Sequence, residues 1–319
     1  MCGISGFIGF EGITDDELRA TCEQMSSQMI HRGPDSSGIW VDKNFGLALG
    51  HRRLSILDLS ENGNQPMRSK SNRYVIIFNG EIYNHLELRA EINKEKNYWN
   101  GNNDTETLLE CIECLGIENT LRRIKGMFAF VLWDKKNKTI TLARDRIGEK
   151  PLYYGFVGKK LIFGSELKSI KVFPGFKRTI CNEALALFFR YSYIPAPHSI
   201  YKNIFKLHQG TYLTLEYEEI KHNESRNNEA IKPKSYWSID QKFEKAKEKS
   251  FSRELIDAID ISKKLISDSV KLQMISDVPI GSFLSGGIDS SLITSIMQSH
   301  SASPIRTFSI GSKEKNYDE

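Results

Sequence analysis

Two incompatible patterns share this chain, and that split limits its folds more than any other feature. Up to about residue 210, short strands follow one another with turns between them. Phe45–Gly50, Tyr74–Phe78, Phe128–Trp133, Thr139–Ala143 and Lys160–Phe163 are rich in β-branched, aromatic or apolar residues. The polar run Asp134–Lys138 reads as a hairpin turn between two of them. Helical patterns interrupt at Asp15–Ile30 and Asp104–Gly116, and a third covers Asn182–Arg190 before the two prolines of Ile194–Pro197. Runs of strands with few helices predict an α+β domain. From Ser252 the order changes to a long helix over Ser252–Ser276 and a strand over Val278–Leu284. A glycine loop follows at Ser285–Asp289, then a helix over Ser290–Ser299 and a strand over Ile305–Ile310. That order opens a βαβ unit, and so a parallel α/β sheet.

Between the two patterns, Glu216–Ser235 is polar and charged and reads as a solvated linker. The expected segmentation is a first domain over 2–218, a polar linker over 219–250 and a second domain starting in 251–319. About seventy residues are too few to close a doubly wound sheet, so the second domain is expected to be incomplete. A fragment and a naturally short chain both fit.

Composition removes several function classes. The 319 residues are 39% hydrophobic and 26% charged, enough for about two domains with cores of their own. Lys+Arg 44 against Asp+Glu 40 gives no support to a nucleic-acid-binding face. No apolar run approaches the ~18 residues of a membrane span, and the apolar start Met1–Phe10 lacks the basic flank of a secretory signal. Cys2, Cys22, Cys111, Cys114 and Cys181 are odd in number and scattered, which is no disulfide framework. They fit a reducing, cytoplasmic compartment. The lone C-x-x-C of Cys111 and Cys114 reads as two small core residues on a helix. The histidines show no metal-ligand spacing. Lys242–Lys249, interrupted by Glu244 and Glu248, reads as a solvated helical face.

Chemistry enters at Cys2. Removal of Met1 would leave its thiol beside a free α-amine of ordinary pKa about 7.7–8.0, which can serve as general base for its own side chain. MCGISG (Met1–Gly6) is followed by HRGPDSSG (His31–Gly38), RLSILDLS (Arg53–Ser60), FNGEIYN (Phe78–Asn84) and DTE (Asp104–Glu106). In order and spacing these resemble the glutaminase domain of class II glutamine amidotransferases, of the N-terminal-nucleophile hydrolase group. The resemblance implies an α+β fold in αββα layers. It implies that Cys2 attacks the side-chain amide of glutamine, with Asn79 and Gly80 as oxyanion donors at a strand-terminating Asn-Gly. A plain hairpin turn is the other role such a dipeptide can play. It places Arg53 on the substrate carboxylate, with Leu54, Ser55, Ile56 and Leu57 behind it and Arg52 as its neighbour. Asp104 falls to the substrate amine, a role compatible with capping the following helix. Glu81 is expected to line the pocket mainly through its backbone. No metal enters this half-reaction.

Near the other end, SGGIDSS (Ser285–Ser291) follows a strand. Two glycines let a ligand approach the backbone, and a helix start offers N–H groups to phosphate. It lacks the Walker A pattern and resembles the pyrophosphate loop of N-type ATP pyrophosphatases. That resemblance implies ATP contacts at Leu284, Ser285, Gly286, Gly287, Asp289, Ser290 and Ile310, with Asp289 as a Mg²⁺ contact and Leu284 and Ile310 on adenine. RDRIGEKPLYY (Arg144–Tyr154), FGSELKSI (Phe163–Ile170), GTYL (Gly210–Leu213), SYW (Ser235–Trp237) and DVPIGSFLSGGIDSS (Asp277–Ser291) extend the likeness to nearly the whole chain. Together they resemble the glutamine-hydrolysing asparagine synthetases. The family's reaction implies glutamine, ATP and a carboxylate acceptor, aspartate first, with no nucleic acid and no membrane. The family's remaining ATP and acceptor contacts lie beyond the residue matching Glu319, so this chain alone is expected to act as a glutaminase. An amidotransferase for another carboxylate, such as a sugar uronic acid, and a non-catalytic binding module stand as alternatives. Exposed apolar surface from Leu255 onward predicts self-association, as a homodimer or as aggregates.

Overall fold

The computed structural model describes residues 2–92, 99–222, 231–248, 251 and 254–311. They form two compact units, Met1–Lys242 and Phe243–Glu319.

The first unit is built on two six-stranded antiparallel sheets. One runs in the order Ile204–Lys206, Tyr153–Val157, Lys160–Gly164, Gly3–Ile8, Leu47–Arg53, Ser36–Asp42. The other runs Lys234–Ser235, Thr211–Glu216, Thr139–Arg144, Gly126–Asp134, Tyr74–Ile82, Met67–Arg68. Side-chain alternation divides each strand between two cores. In Gly126–Asp134, Ala129, Val131 and Trp133 enter the gap between the sheets. Phe128, Phe130 and Leu132 turn outward onto Leu108, Leu109 and Ile112 of the helix Asp104–Leu115. In Gly3–Ile8, Ile4 and Ile8 face the other sheet. Phe7 packs under Leu18, Cys22 and Met25 of the helix Asp15–Ser27. The layers are therefore helix, sheet, sheet, helix, as the resemblance implied. A strand covered on both faces reads as a continuous apolar run, which is why Gly126–Asp134 stands out in the sequence.

Several expectations need correction. The first helix stops at Ser27 and yields to a 3-10 turn at Ile30–Arg32. The strand expected at Phe45–Gly50 is Leu47–Arg53. Glu216–Ser235 is not uniformly solvated. Residues 223–230 lie outside the described residues, but Tyr217 and Ile220, on the short helix Tyr217–Lys221, are buried between the sheets. Lys234–Ser235 pairs with Thr211–Glu216 and forms the edge of that sheet. Just beyond, the buried Tyr236 donates its hydroxyl to the carbonyl of Arg144 (2.8 Å). A few apolar anchors among many charges are enough to hold such a segment down.

In the second unit, the helix Leu255–Leu272 precedes a parallel pair of three-residue strands, Gly281–Phe283 and Arg306–Phe308, joined through the helix Ile288–Ser299. Strand and helix bounds are tighter than Val278–Leu284, Ile305–Ile310 and Ser252–Ser276. The last helix begins two residues earlier than expected, so Asp289 lies in its first turn rather than in the loop. A two-stranded ladder pairs only where both strands are present, which limits each strand to the paired stretch. Leu255, Phe283 and Ile288 are 77, 76 and 87% exposed.

Trp133 tests the inter-sheet core. It is fully buried, its ring centroid lies 5.0 Å from that of Phe45, and its indole N–H has no partner among the described residues. Trp133→Ala is expected to cost about 3–5 kcal/mol in chemical denaturation. Trp133→Phe is expected to cost far less, because it also removes a buried unpaired donor.

Candidate active site at the first strand

The strand Gly3–Ile8 sits inside its sheet, so the residue before it is held in place rather than left to fray. Gly3 and Ile4 pair with Arg52 and His51. Ser165 clasps Ile4 from the other side, its hydroxyl accepting the Ile4 N–H (3.1 Å) and its N–H donating to the Ile4 carbonyl (2.8 Å). The Cys2 carbonyl accepts from Nε of Arg32 (2.9 Å), which in turn is held by Glu166 Oε1 (3.0 Å). The Cys2 thiol lies against the Leu54 backbone, 3.4 Å from its N and 3.6 Å from its O. Burial pushes the thiol pKa up, with the Leu54 hydrogen bond acting against it. The group is therefore a thiol that needs a base, not a ready thiolate.

Cys2 opens onto a cavity of about 100 Å³ that Arg53, Asn79, Gly80, Glu81 and Asp104 also line. Leu54, Ile56 and Leu57 complete one wall. Asn79 and Gly80 do not end a strand. The strand Tyr74–Ile82 continues past them, paired with Ala129 and Phe128. Asn79 follows Val75 and Ile77 in the alternation and so belongs to the inter-sheet face. Both polar atoms of its side chain are buried without a partner among the described residues. A buried amide left unsatisfied costs about 1–3 kcal/mol. A Cβ on Gly80 would come within 2.2 Å of the Met127 carbonyl, so only glycine lets the two strands approach here.

Arg53 ends the strand Leu47–Arg53 and is buried. Its guanidinium donates to the Ser60 carbonyl (2.9 Å), the Asn64 side chain (3.1 Å) and the Asp58 carbonyl. The loop that returns over the site thus orients it. Asp104 opens its helix but does not cap it. Asn103 is the cap, accepting from the Glu106 N–H (2.8 Å). The Asp104 carboxylate is left to accept from the Ile82 N–H (2.7 Å). Burial raises its pKa to about 7, the Ile82 hydrogen bond working in the opposite direction. Glu81 is raised too, by burial, with Lys150 opposing. Ser55 is the expected contact that does not line the cavity. Its N–H donates to Asp35 (2.7 Å) and fastens the loop from outside.

Sequence reasoning missed Gln65 and Lys150 as lining residues. Gln65 accepts from the Phe78 N–H (2.6 Å) and donates to Thr105 (3.3 Å), joining strand to helix start. Nothing in its local sequence signals that. Lys150 lies in a motif already singled out for resemblance, and burial lowers its pKa against Glu81 and Glu149. His51 stands behind the site, its Nε2 3.0 Å from the Phe78 carbonyl. Burial depresses it to about 4, so it is neutral at ordinary pH.

In the second unit, Leu284 and Ile310 come to the same end of the small sheet. The Leu284 N–H donates to Phe308, and the Ser309 hydroxyl donates to the Leu284 carbonyl (2.6 Å). Gly286 adopts φ 77° and a Cβ there would meet nothing within 4 Å. Gly287 caps the helix without a side chain, and the Ser285 and Ser290 hydroxyls lie 3.2 Å apart beside it. An open glycine cradle before an uncapped helix start fits phosphate. Among the described residues no cluster of three or more His, Cys, Asp or Glu could hold a metal by itself. Asp289 alone fits only a metal held largely by phosphate oxygens.

A family model of the glutamine amidotransferase domain matches residues 1–227, and one of asparagine synthase matches residues 262–319. The putative asparagine synthetase (glutamine-hydrolyzing) 2 of Methanocaldococcus jannaschii is 38% identical, across 100% of this chain and 61% of its own. Asparagine synthetase (glutamine-hydrolyzing) 1 of Bacillus subtilis is 36% identical, across 100% and 47%. Amidase chry2 of Gibberella zeae is 31% identical, across 93% and 43%. The chain thus spans about half the length of the curated relatives it matches. Among solved structures, a glutamine phosphoribosylpyrophosphate amidotransferase of B. subtilis aligns over 100% of this chain and 68% of its own. The TM-score is 0.51 at 17% identity, which supports the fold. The chain belongs to the glutamine-hydrolysing asparagine synthetase family, with a class II glutamine amidotransferase domain followed by the start of a synthetase domain.

Proposed function

We propose that the first unit hydrolyses glutamine to glutamate and ammonia, with Cys2 as nucleophile. The observation that carries this reading is the unpartnered, buried Asn79 amide in the same cavity as the Cys2 thiol. With Met1 removed, the α-amine of Cys2 takes the thiol proton as sulfur adds to the amide carbon. The oxyanion is met by the Asn79 side chain and the Gly80 N–H. Collapse breaks the C–N bond, the amine's proton leaves with ammonia, and a thioester remains. Water then cleaves it to glutamate and restores the thiol. Arg53 reads the substrate α-carboxylate and Asp104 its α-ammonium, with Leu54, Ile56, Leu57 and the Glu81 backbone filling the space between. Ser55 supports the wall indirectly.

In the whole enzyme, ammonia aminates a carboxylate activated by ATP. Ser285, Gly286, Gly287 and Ser290 would hold the phosphates, and Asp289 would help hold Mg²⁺, which would offset phosphate charge. Leu284 and Ile310 would flank adenine. ATP supplies the adenylate leaving group. Aspartate is the acceptor that the names of the two synthetase relatives favour. The chain is expected to work in a cytoplasmic setting and to self-associate through the apolar face of its second unit.

Intact mass together with glutamate release tests the central reading. Loss of Met1 with glutamate formation supports it, and Cys2→Ala should abolish release. Asn79→Ala should lower kcat by on the order of 10²–10³. Processed protein that binds glutamine yet forms no glutamate would overturn it.

Asp104 adds a pH signature. Its carboxyl holds a proton up to about pH 7 in the free site, whereas an unfolded carboxyl loses it near pH 4. Free-enzyme stability should therefore fall as pH rises through that window and level off above 7. Glutamine binding should do the reverse, because the ammonium needs the charged form. KM for glutamine is expected to rise as pH drops below about 7. In Asp104→Asn it should be high and nearly independent of pH.

A further inference from the structure

Asp58 contacts Arg53 and the Asn102–Asn103 turn just ahead of Asp104 without lining the cavity itself. It is 9% exposed and holds φ 56°, a left-handed conformation that side-chain-bearing residues seldom adopt. Its carbonyl accepts from the Arg53 guanidinium. Its Oδ1 accepts from the Ser60 N–H (3.2 Å) and the Ser60 hydroxyl. Its Oδ2 accepts from the Asn102 N–H (3.0 Å) and the Asn103 side-chain amide (3.2 Å). Asn103 in turn caps the helix that begins with Asp104. Space around the contact is fully used, since a Cβ on Gly101 would fall 2.3 Å from Oδ2. Burial works against the Asp58 charge, but the hydrogen bonds from Ser60, Asn103 and Asn102 hold its carboxyl below the usual range.

We infer that Asp58 is a positioning residue that ties the reader of the substrate carboxylate to the reader of the substrate ammonium, making one clamp for a free α-amino acid. The inference rests on the glutamine reading of the site. A carboxylate reader alone accepts many acids, and an ammonium reader alone accepts many amines. The fixed separation of Arg53 and Asp104 selects a molecule carrying both charges on one carbon. Those residues sit on different elements, Arg53 at the end of the strand Leu47–Arg53 and Asp104 at the head of the helix Asp104–Leu115. The Asp58 bridge is what sets their spacing. Slippage of about 1 Å between the two would forbid simultaneous contact. The reacting groups, Cys2 and Asn79, are held by the strands Gly3–Ile8 and Tyr74–Ile82 and do not lean on Asp58. Its loss should weaken binding and spare chemistry at saturation.

Asp58→Asn is the sharpest variant. Asparagine tolerates the left-handed backbone, but its NH₂ must face either the Asn102 and Asn103 donors or the Ser60 donors. One side of the bridge fails in either orientation. In the full chain, KM for glutamine should rise at least about tenfold with kcat within about threefold, the signature of lost uniform binding. The rate at which iodoacetamide alkylates Cys2 should not change. Gly101→Ala, which crowds Oδ2 without removing a charge, should give the same split and carries the test where Asp58→Asn does not fold. An unchanged KM, or a fall in kcat matched by slower alkylation, overturns the inference. Calorimetry with glutamine in a Cys2→Ala background separates the two ideas. Equal Kd with and without Asp58→Asn sinks the clamp even where wild-type turnover is intact. Weakened Kd alongside an absence of wild-type glutamate release upholds the clamp and sinks the hydrolysis reading.

Discussion

Face-to-face packing of two sheets is the constraint on which the site depends. Ile4 and Ile8 from one sheet meet Val75, Ile77, Val131 and Trp133 from the other in a single buried cluster. Packed interiors do not slide, because each side chain already fills its neighbour's gap. Cys2 directly precedes the first of these strands and Asn79 continues the inter-sheet face of another. Their opposition is thus a by-product of core packing, with no flexible loop setting the distance. Outer helices then cover the second face of each sheet and leave the strands no freedom to twist away.

The cavity walls carry what the core excludes. Beside the Arg53 guanidinium, Asp104, Glu81 and Lys150 bring ionisable groups into a space where burial disfavours their charged forms. The protein tolerates this through backbone hydrogen bonds: Ile82 N–H on Asp104, and loop carbonyls on Arg53. Asn79 has no such compensation among the described residues. An amide left in that state lowers stability, and sites of this kind are where structures accept such a cost in exchange for preorganised donors. On the proposed mechanism, the hydrogen-bonded Arg53 and Asp104 recognise the substrate, and the unsatisfied neutral amide of Asn79 meets charge only as it develops.

Much of this was legible in the sequence, and the misses have physical causes. Strands such as Tyr74–Ile82 and Gly126–Asp134 were visible because burial on both faces makes them apolar throughout. Gly3–Ile8 was not read as a strand, since three of its six residues are glycine or serine chosen for close approach: a Cβ on Gly6 would lie 2.3 Å from the Ala48 carbonyl. Cys2, Arg53, Asn79, Gly80 and Asp104 fall in four separated motifs, and only the fold shows that they share a cavity. Gln65 was invisible because its role is to bridge two elements, and a bridge has no local pattern. Asp104 was legible as a residue but ambiguous as a cap, until Asn103 proved to hold that post. Tyr217 and Ile220 were lost in a charged run because averaging over a window hides two anchors.

The state of the thiol links chain processing to chemistry. A half-buried cysteine whose pKa is pushed upward gains no reactivity from its surroundings. The neutral His51 is engaged with the Phe78 carbonyl, and burial keeps it from taking a proton near pH 7. On the proposed mechanism the base must then be the α-amine itself, whose ordinary pKa of about 7.7–8.0 suits proton transfer at neutral pH. A peptide nitrogen cannot do this, because its lone pair is delocalised into the carbonyl. Removal of Met1 therefore creates the base in one step, while Arg32 and Glu166 already hold the Cys2 carbonyl in place. On that mechanism, the geometry of the described residues precedes processing, and processing supplies the base.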